Sequence, residues 1–121
     1  MELHEVAALG WCDLYLEGVA WAEDGRDLVL RLLLPADGTG SRRRRVLVCR
    51  WSESVAIRFA TRSGHGGYPL TWNAEFDRLP DGRCAISFDF AGDGEVRLVC
   101  VDVEVTEAAG PATSPVEGTS D

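Results

Sequence analysis

The sequence predicts an all-β fold: an antiparallel sandwich of about seven hairpin-linked strands, with a small barrel as the alternative closure. Three observations lead there. Asp-Gly occurs four times, at Asp24-Gly25, Asp37-Gly38, Asp81-Gly82 and Asp93-Gly94, each between apolar or alternating runs. This dipeptide supplies the positive φ angles that tight hairpin turns require. The segments between the turns repeatedly alternate apolar and polar residues, the period of a half-buried strand. None of them sustains the 3.6-residue period of a long amphipathic helix. A length of 121 residues, 45% apolar and 26% charged, fits one globular domain. Strands that each bury one face must close on a second sheet or on themselves.

Each element has its own justification. Residues 2–10 form the one helical candidate, with Leu3, Val6, Ala7 and Gly10 on one side and Glu2 and Glu5 suiting a helix start. The first strand, Leu14 to Ala22, changes phase at Gly18, which predicts a bulge there. Leu28, Leu30, Leu32 and Leu34 share one face of the second strand, and Pro35 to Ser41 is a loop. Arg44 to Trp51 is the third strand, apolar on both faces through Val46, Leu47, Val48, Cys49 and Trp51, as expected of a central strand. Val55, Ile57 and Phe59 alternate in the fourth, and residues 62–69 make a glycine-rich connector, expected to be mobile. Trp72, Ala74 and Phe76 mark the inner face of the fifth strand; Cys84, Ile86, Phe88 and Phe90 mark that of the sixth. In the last, Glu95 to Val105, the apolar phase moves near Cys100, so either a bulge or a strand serving two sheets is expected. The domain is thus placed at 1–106. Residues 107–121, made of Ala, Gly, Pro, Thr, Ser and acids, lack core-forming side chains and read as a disordered acidic tail.

Composition narrows the function classes. Twelve basic residues, all arginine, stand against twenty acidic ones, for a net charge of −8. Lysine and glutamine are absent, a bias that points to a GC-rich bacterial coding sequence. Such acidity disfavours nucleic acid and anionic membranes as partners and favours a basic one. The acidic start, Met1-Glu2-Leu3-His4-Glu5, is unlike a secretory signal, and no apolar run approaches a membrane span, so a cytoplasmic location is expected. Cys12, Cys49, Cys84 and Cys100 sit singly in apolar runs. They are expected to be buried, reduced thiols, Cys84 and Cys100 being the pair placed to join on oxidation.

No residue pattern announces catalysis. Gly64-His65-Gly66-Gly67 is the most suggestive stretch, but the Gly-x-Ser-x-Gly nucleophile that accompanies such an element in esterases is absent. Two histidines, His4 and His65, cannot build a metal site by themselves, and no cofactor is expected. Arg42 to Arg45 is a run of four that strand geometry divides between two faces; its expected role is to close a loop and guard an edge strand. Glu75, Asp77 and Asp89 fall on the outward faces of neighbouring strands, an acidic patch suited to binding. His65 and Tyr68, in or beside the connector, are further binding candidates. Trp51 and Trp72 are assigned to the core phase of their strands, where they would pack or line an aromatic pocket between the sheets.

The segment Leu14 to Trp21, the Glu23-Asp24-Gly25 turn, the Leu28-Leu30-Leu32 strand and the hairpins to Val105 together resemble small bacterial all-β proteins. Some of those are encoded as immunity partners of polymorphic toxins. The resemblance implies binding rather than catalysis and assigns no residue a role. The expected function is therefore a non-enzymatic cytoplasmic binding protein, of immunity type, whose partner is a basic protein. The alternatives are a small-molecule-binding protein or enzyme with an aromatic pocket, and an assembly subunit that pairs through a sheet edge, for example as a dimer.

Overall fold

The computed structural model of the chain describes residues 2–35, 41–60, 68–91 and 94–111. One short helix, α1 (Leu3–Ala7), precedes eight strands: β1 (Tyr15–Trp21), β2 (Leu28–Leu33), β3 (Ser41–Arg50), β4 (Glu53–Phe59), β5 (Thr71–Arg78), β6 (Cys84–Phe90), β7 (Gly94–Cys100) and β8 (Asp102–Pro111). They form two four-stranded antiparallel sheets, ordered β1-β2-β3-β8 and β4-β7-β6-β5. This is the expected all-β sandwich; among the described residues the sheets do not close into a barrel.

The hairpin chemistry holds where it is described. Gly25 (φ 70°) and Gly82 (φ 92°) supply the left-handed residues of the β1–β2 and β5–β6 turns. The turn at Asp37-Gly38, Asp93, His65 with most of the 62–69 connector, and residues 112–121 lie outside the described residues. Gly94 serves another purpose. A Cβ there would collide with the Arg58 carbonyl oxygen and stand 2.8 Å from the Phe59 Cα, so only glycine lets β4 and β7 pair this closely.

The bulge expected at Gly18 is present as a register shift between Leu16 and Gly18. The long last strand resolves into two: β7 ends at Cys100 in one sheet, and after Val101 the chain enters the other sheet as β8. The count therefore rises from seven strands to eight. β8 also extends past the expected domain end, because residues 107–111 pair with β3 from Arg45 back to Ser41. Backbone pairing along a ten-residue ladder orders a segment whose side chains contribute little core.

The two sheets meet over Leu28, Leu30, Leu32, Leu47, Ile86, Phe88, Phe90, Val96 and Leu98, all buried. Phe88 meets Trp11 edge-on at 5.6 Å and stacks with Phe90 at 6.1 Å between ring centroids. The segment through α1 packs against β5 and inserts Leu3, Val6 and Trp11 into this core. Arg45 anchors it. The guanidinium sits 4.7 Å over the Trp11 ring, donates to the Gly10 carbonyl at 2.6 Å, and donates to Glu107 of β8 at 2.6 Å.

Two expectations are corrected by this arrangement. β3 is an interior strand between β2 and β8, so its arginine run does not guard an edge. The run is split as expected: Arg43 and Arg45 both reach Glu107, while Arg44 reaches Glu17 of β1 at 2.9 Å. The four cysteines are free thiols, but only Cys49, Cys84 and Cys100 are buried. Cys12 is exposed, its Sγ donating to the Trp72 carbonyl at 3.2 Å, because it belongs to the irregular link before β1 and not to a strand.

Candidate functional site

The outer face of the β4-β7-β6-β5 sheet carries the three acidic residues singled out from the sequence, Glu75, Asp77 and Asp89. Alternation along β6 sends Cys84, Ile86, Phe88 and Phe90 inward and leaves Ala85, Ser87 and Asp89 on the outside. The register then aligns three rows across four strands. Asn73, Asp89, Glu95 and Arg58 form the first, Glu75, Ser87, Arg97 and Ala56 the second, and Asp77, Ala85, Val99 and Glu53 the third. Glu75, Asp77 and Asp89 therefore share one face, as their strand phases predict. Sequence reasoning missed Glu95, Arg97 and Arg58, whose neighbours are set by the β6–β7 and β4–β7 pairings. The alternation of Glu95 and Arg97 with Val96 and Leu98 was the available signal.

Charge is unevenly distributed over this face. Glu95 is held by Arg97 at 3.1 Å and Arg58 at 3.7 Å, so the β4–β7 half is internally compensated. The β5–β6 half carries Asn73, Glu75, Asp77 and Asp89, with no arginine on that face of either strand. Asp89 lies directly opposite Glu95. Like charges facing one another across a pair of strands cost stability, by a few tenths of a kcal/mol up to about 1 kcal/mol.

The tryptophans do not lie where alternation puts them. Trp72 is 71% exposed and Trp51 56% exposed. At Trp72 the cause is a register shift between Thr71 and Asn73. Thr71 takes the inward seat, donating its N–H to the Leu14 carbonyl at 2.7 Å and accepting from the Asp13 N–H at 2.9 Å, and Trp72 is turned out. At Trp51 the backbone enters the left-handed region (φ 53°) where the chain leaves one sheet for the other. The buried Asp27 carboxylate accepts the Trp51 N–H at 3.0 Å and Arg50 Nη1 at 3.2 Å, which fixes this turn, and Arg26 lies over the Trp51 ring at 4.6 Å. The two indoles stand at opposite ends of the sheet, since β4 and β7 pair from Glu53–Val99 near Trp51 to Phe59–Gly94 near Trp72. Trp51 and Trp72 therefore do not line a common pocket between the sheets.

Each indole instead borders a surface cleft. The Trp72 cleft, of about 560 Å³, is lined by Arg58, Asp89, Phe90, Ala91, Gly94 and Glu95 and adjoins the first charged row. The Trp51 cleft, about 460 Å³, includes Arg26, Ser52, Glu53 and Val101. Tyr68 is separate from both. It borders an apolar groove between the edge strands β1 and β4, with Leu16, Val19, Ile57, Phe59 and Pro69.

Chemically the acidic face offers fixed negative charge and hydrogen-bond acceptors around small central side chains, Ala85, Ser87 and Ala56. His4, the histidine among the described residues, is on α1 beside Phe76 and Arg78 and does not join the acids. Among the described residues no group of three or more His, Cys, Asp or Glu side chains is placed to hold a metal ion. The buried thiols form their own cluster. A hydrogen bond with Cys100, and then burial, push the Cys49 thiol far above its usual range, burial pushes Cys84 up as well, and the hydrogen bond with Cys49 lowers Cys100. No helix among the described residues is long and apolar enough to cross a membrane. Compared with known protein families and with curated proteins, the chain matches none.

Proposed function

We propose that this chain is a non-enzymatic binding protein whose partner is a basic protein, received on the outer face of the β4-β7-β6-β5 sheet. One observation carries the reading: Glu75, Asp77 and Asp89 converge on a sheet face that none of the described segments covers, with Asp89 set directly against Glu95. Packing gives no reason for that convergence, since opposed carboxylates weaken a strand pair. A cationic partner would relieve the repulsion. The net charge of −8 adds a long-range attraction that speeds encounter with a basic surface. Cytoplasmic neutralisation of a basic toxin, as in the immunity proteins the sequence resembles, is the biological form this reading takes.

The test uses the full chain and a charge-reversed variant, Glu75→Lys/Asp77→Lys/Asp89→Lys, each immobilised and offered the proteins of the native host. A partner retained by the first and lost from the second is expected. Its association rate should fall about tenfold or more as salt rises from about 50 to about 500 mM. A partner held equally by both, with an affinity indifferent to salt, would overturn the assignment of this face.

A further inference from the structure

The Trp72 cleft has a composition that recurs inside the molecule. At Trp11, a planar guanidinium is held between an indole face and a carboxylate: Arg45 lies 4.7 Å over the ring while its Nε donates to Glu107 at 2.6 Å. At Trp51, Arg26 lies 4.6 Å over the ring. Indole and guanidinium attract because the ring's negative face meets a delocalised, weakly hydrated cation. In the Trp72 cleft the indole and the carboxylates are present on the surface. Arg58, the cation that lines the cleft, is turned to Glu95 at 3.7 Å. Glu95 also binds Arg97 at 3.1 Å. Asp89, across from Glu95, is thus the lining carboxylate that these two arginines do not engage.

We infer that the Trp72 cleft is the seat of an arginine side chain of the partner, the guanidinium stacking on Trp72 and its N–H groups donating to Asp89. The inference rests on the binding reading above and gives its acidic face an anchor. Shape and charge agree with it. A cleft of about 560 Å³ admits an extended arginine side chain, and among its described lining residues Arg58 is turned to Glu95, which leaves the Asp89 carboxylate to receive a cation. Aromatic residues flanked by polar rims are where interfaces concentrate their affinity. Arginine fits better than lysine, because a planar fork can stack and make paired hydrogen bonds to one carboxylate, whereas an ammonium acts as a point charge.

The experiment titrates the folded full chain with N-acetyl-arginine amide and follows the indole N–H resonances, Trp72 being identified by its disappearance in Trp72→Phe. The neutral isostere N-acetyl-citrulline amide and the lysine analogue are titrated in parallel. A saturable shift of the Trp72 resonance is expected with the arginine probe, weaker with lysine and absent with citrulline. Asp89→Asn should weaken the arginine probe roughly fivefold, the scale of one exposed charge-assisted contact. Arg58→Gln should tighten it, by about twofold, because a competing cation leaves the cleft. These opposite signs separate the site from a general loss of folding. Equal shifts with arginine and citrulline, no saturable shift at Trp72, or indifference to both substitutions would overturn the inference. If the arginine probe fails while a captured partner still responds to reversal of Glu75 and Asp77, the cleft is refuted and the acidic face stands. If the probe binds as expected and no charge-dependent partner exists, the binding-face reading falls and the cleft remains an arginine receptor.

Discussion

Replacing Arg45 with methionine tests the linkage between the N-terminal segment and the sandwich. The arginine side chain is only 7% exposed, and the change removes its bonds to Glu107 and the Gly10 carbonyl and its contact with Trp11. Hydrogen bonds of a charged group contribute about 1.5–3 kcal/mol each, and a partly desolvated cation–π contact about 1–2 kcal/mol. Against this stands the relief of a buried charge, worth several kcal/mol. Glu107 is not orphaned, because Arg43 still holds its other oxygen at 2.9 Å and its side chain is 24% exposed. The net loss should therefore be about 2–4 kcal/mol, at the lower end of what breaking a buried pair costs. For a domain of this size that is a fall in Tm of roughly 8–16 °C.

Urea unfolding followed by tryptophan fluorescence measures it, with an unchanged m-value expected if only the native state is affected. The control is Arg43→Met, which removes a bond to the same carboxylate from a side chain that is 51% exposed. Its loss should stay under about 1 kcal/mol. A double-mutant cycle of Arg45→Met with Glu107→Gln should show a coupling of about 1–2 kcal/mol. If Arg45→Met cost less than about 1 kcal/mol, or no more than Arg43→Met, burial would not be what distinguishes these two ion pairs, and the anchoring argument would fail.

Three further outcomes are expected. In the folded protein one thiol, Cys12, should react quickly with an aromatic disulfide reagent, while Cys49, Cys84 and Cys100 should react only at the rate of unfolding; mass mapping that found a second fast cysteine would contradict the buried cluster. Phe88→Ala should cost about 3–5 kcal/mol in a urea titration, since the ring is fully buried between Trp11, Phe76 and Phe90 and its removal leaves a cavity; a loss below about 1.5 kcal/mol would mean the sheets collapse into the space. The Arg26 backbone N–H, 2.9 Å from the Asp24 carboxylate, lowers that group's pKa below its ordinary value in the β1–β2 turn. Its stabilising effect is present above about pH 4 and lost as pH falls through the lowered folded value. The urea midpoint of Asp24→Ala should accordingly fall less steeply in acid than that of the parent, and parallel curves would refute the role.

The sequence by itself determined what depends on neighbours along the chain. Asp-Gly turns fixed where hairpins reverse, because the positive φ of Gly25 and Gly82 is a local requirement. Period-two alternation fixed the inner faces of β2 and β6 and the inward Ala74 and Phe76 of β5, and with them the outward placement of Asp89, Glu75 and Asp77. Gly18 marked the bulge, and the phase change near Cys100 was compatible with a bulge or a sheet crossover, of which the pairing realises the crossover. The tertiary structure decided whatever depends on distant partners. Trp51 and Trp72 leave the core because Asp27 and Leu14, remote in sequence, capture the backbone at and beside them and override the alternation. Residues 107–111 become strand through β3, not through their own composition. Arg58, Glu95 and Arg97 join the candidate face only because β7 runs between β4 and β6, a strand order that local periodicity does not encode. Local rules thus set which way side chains point wherever the alternation runs unbroken, while strand order and long-range backbone bonds, chosen by burial of the whole core, set the exceptions and which side chains meet.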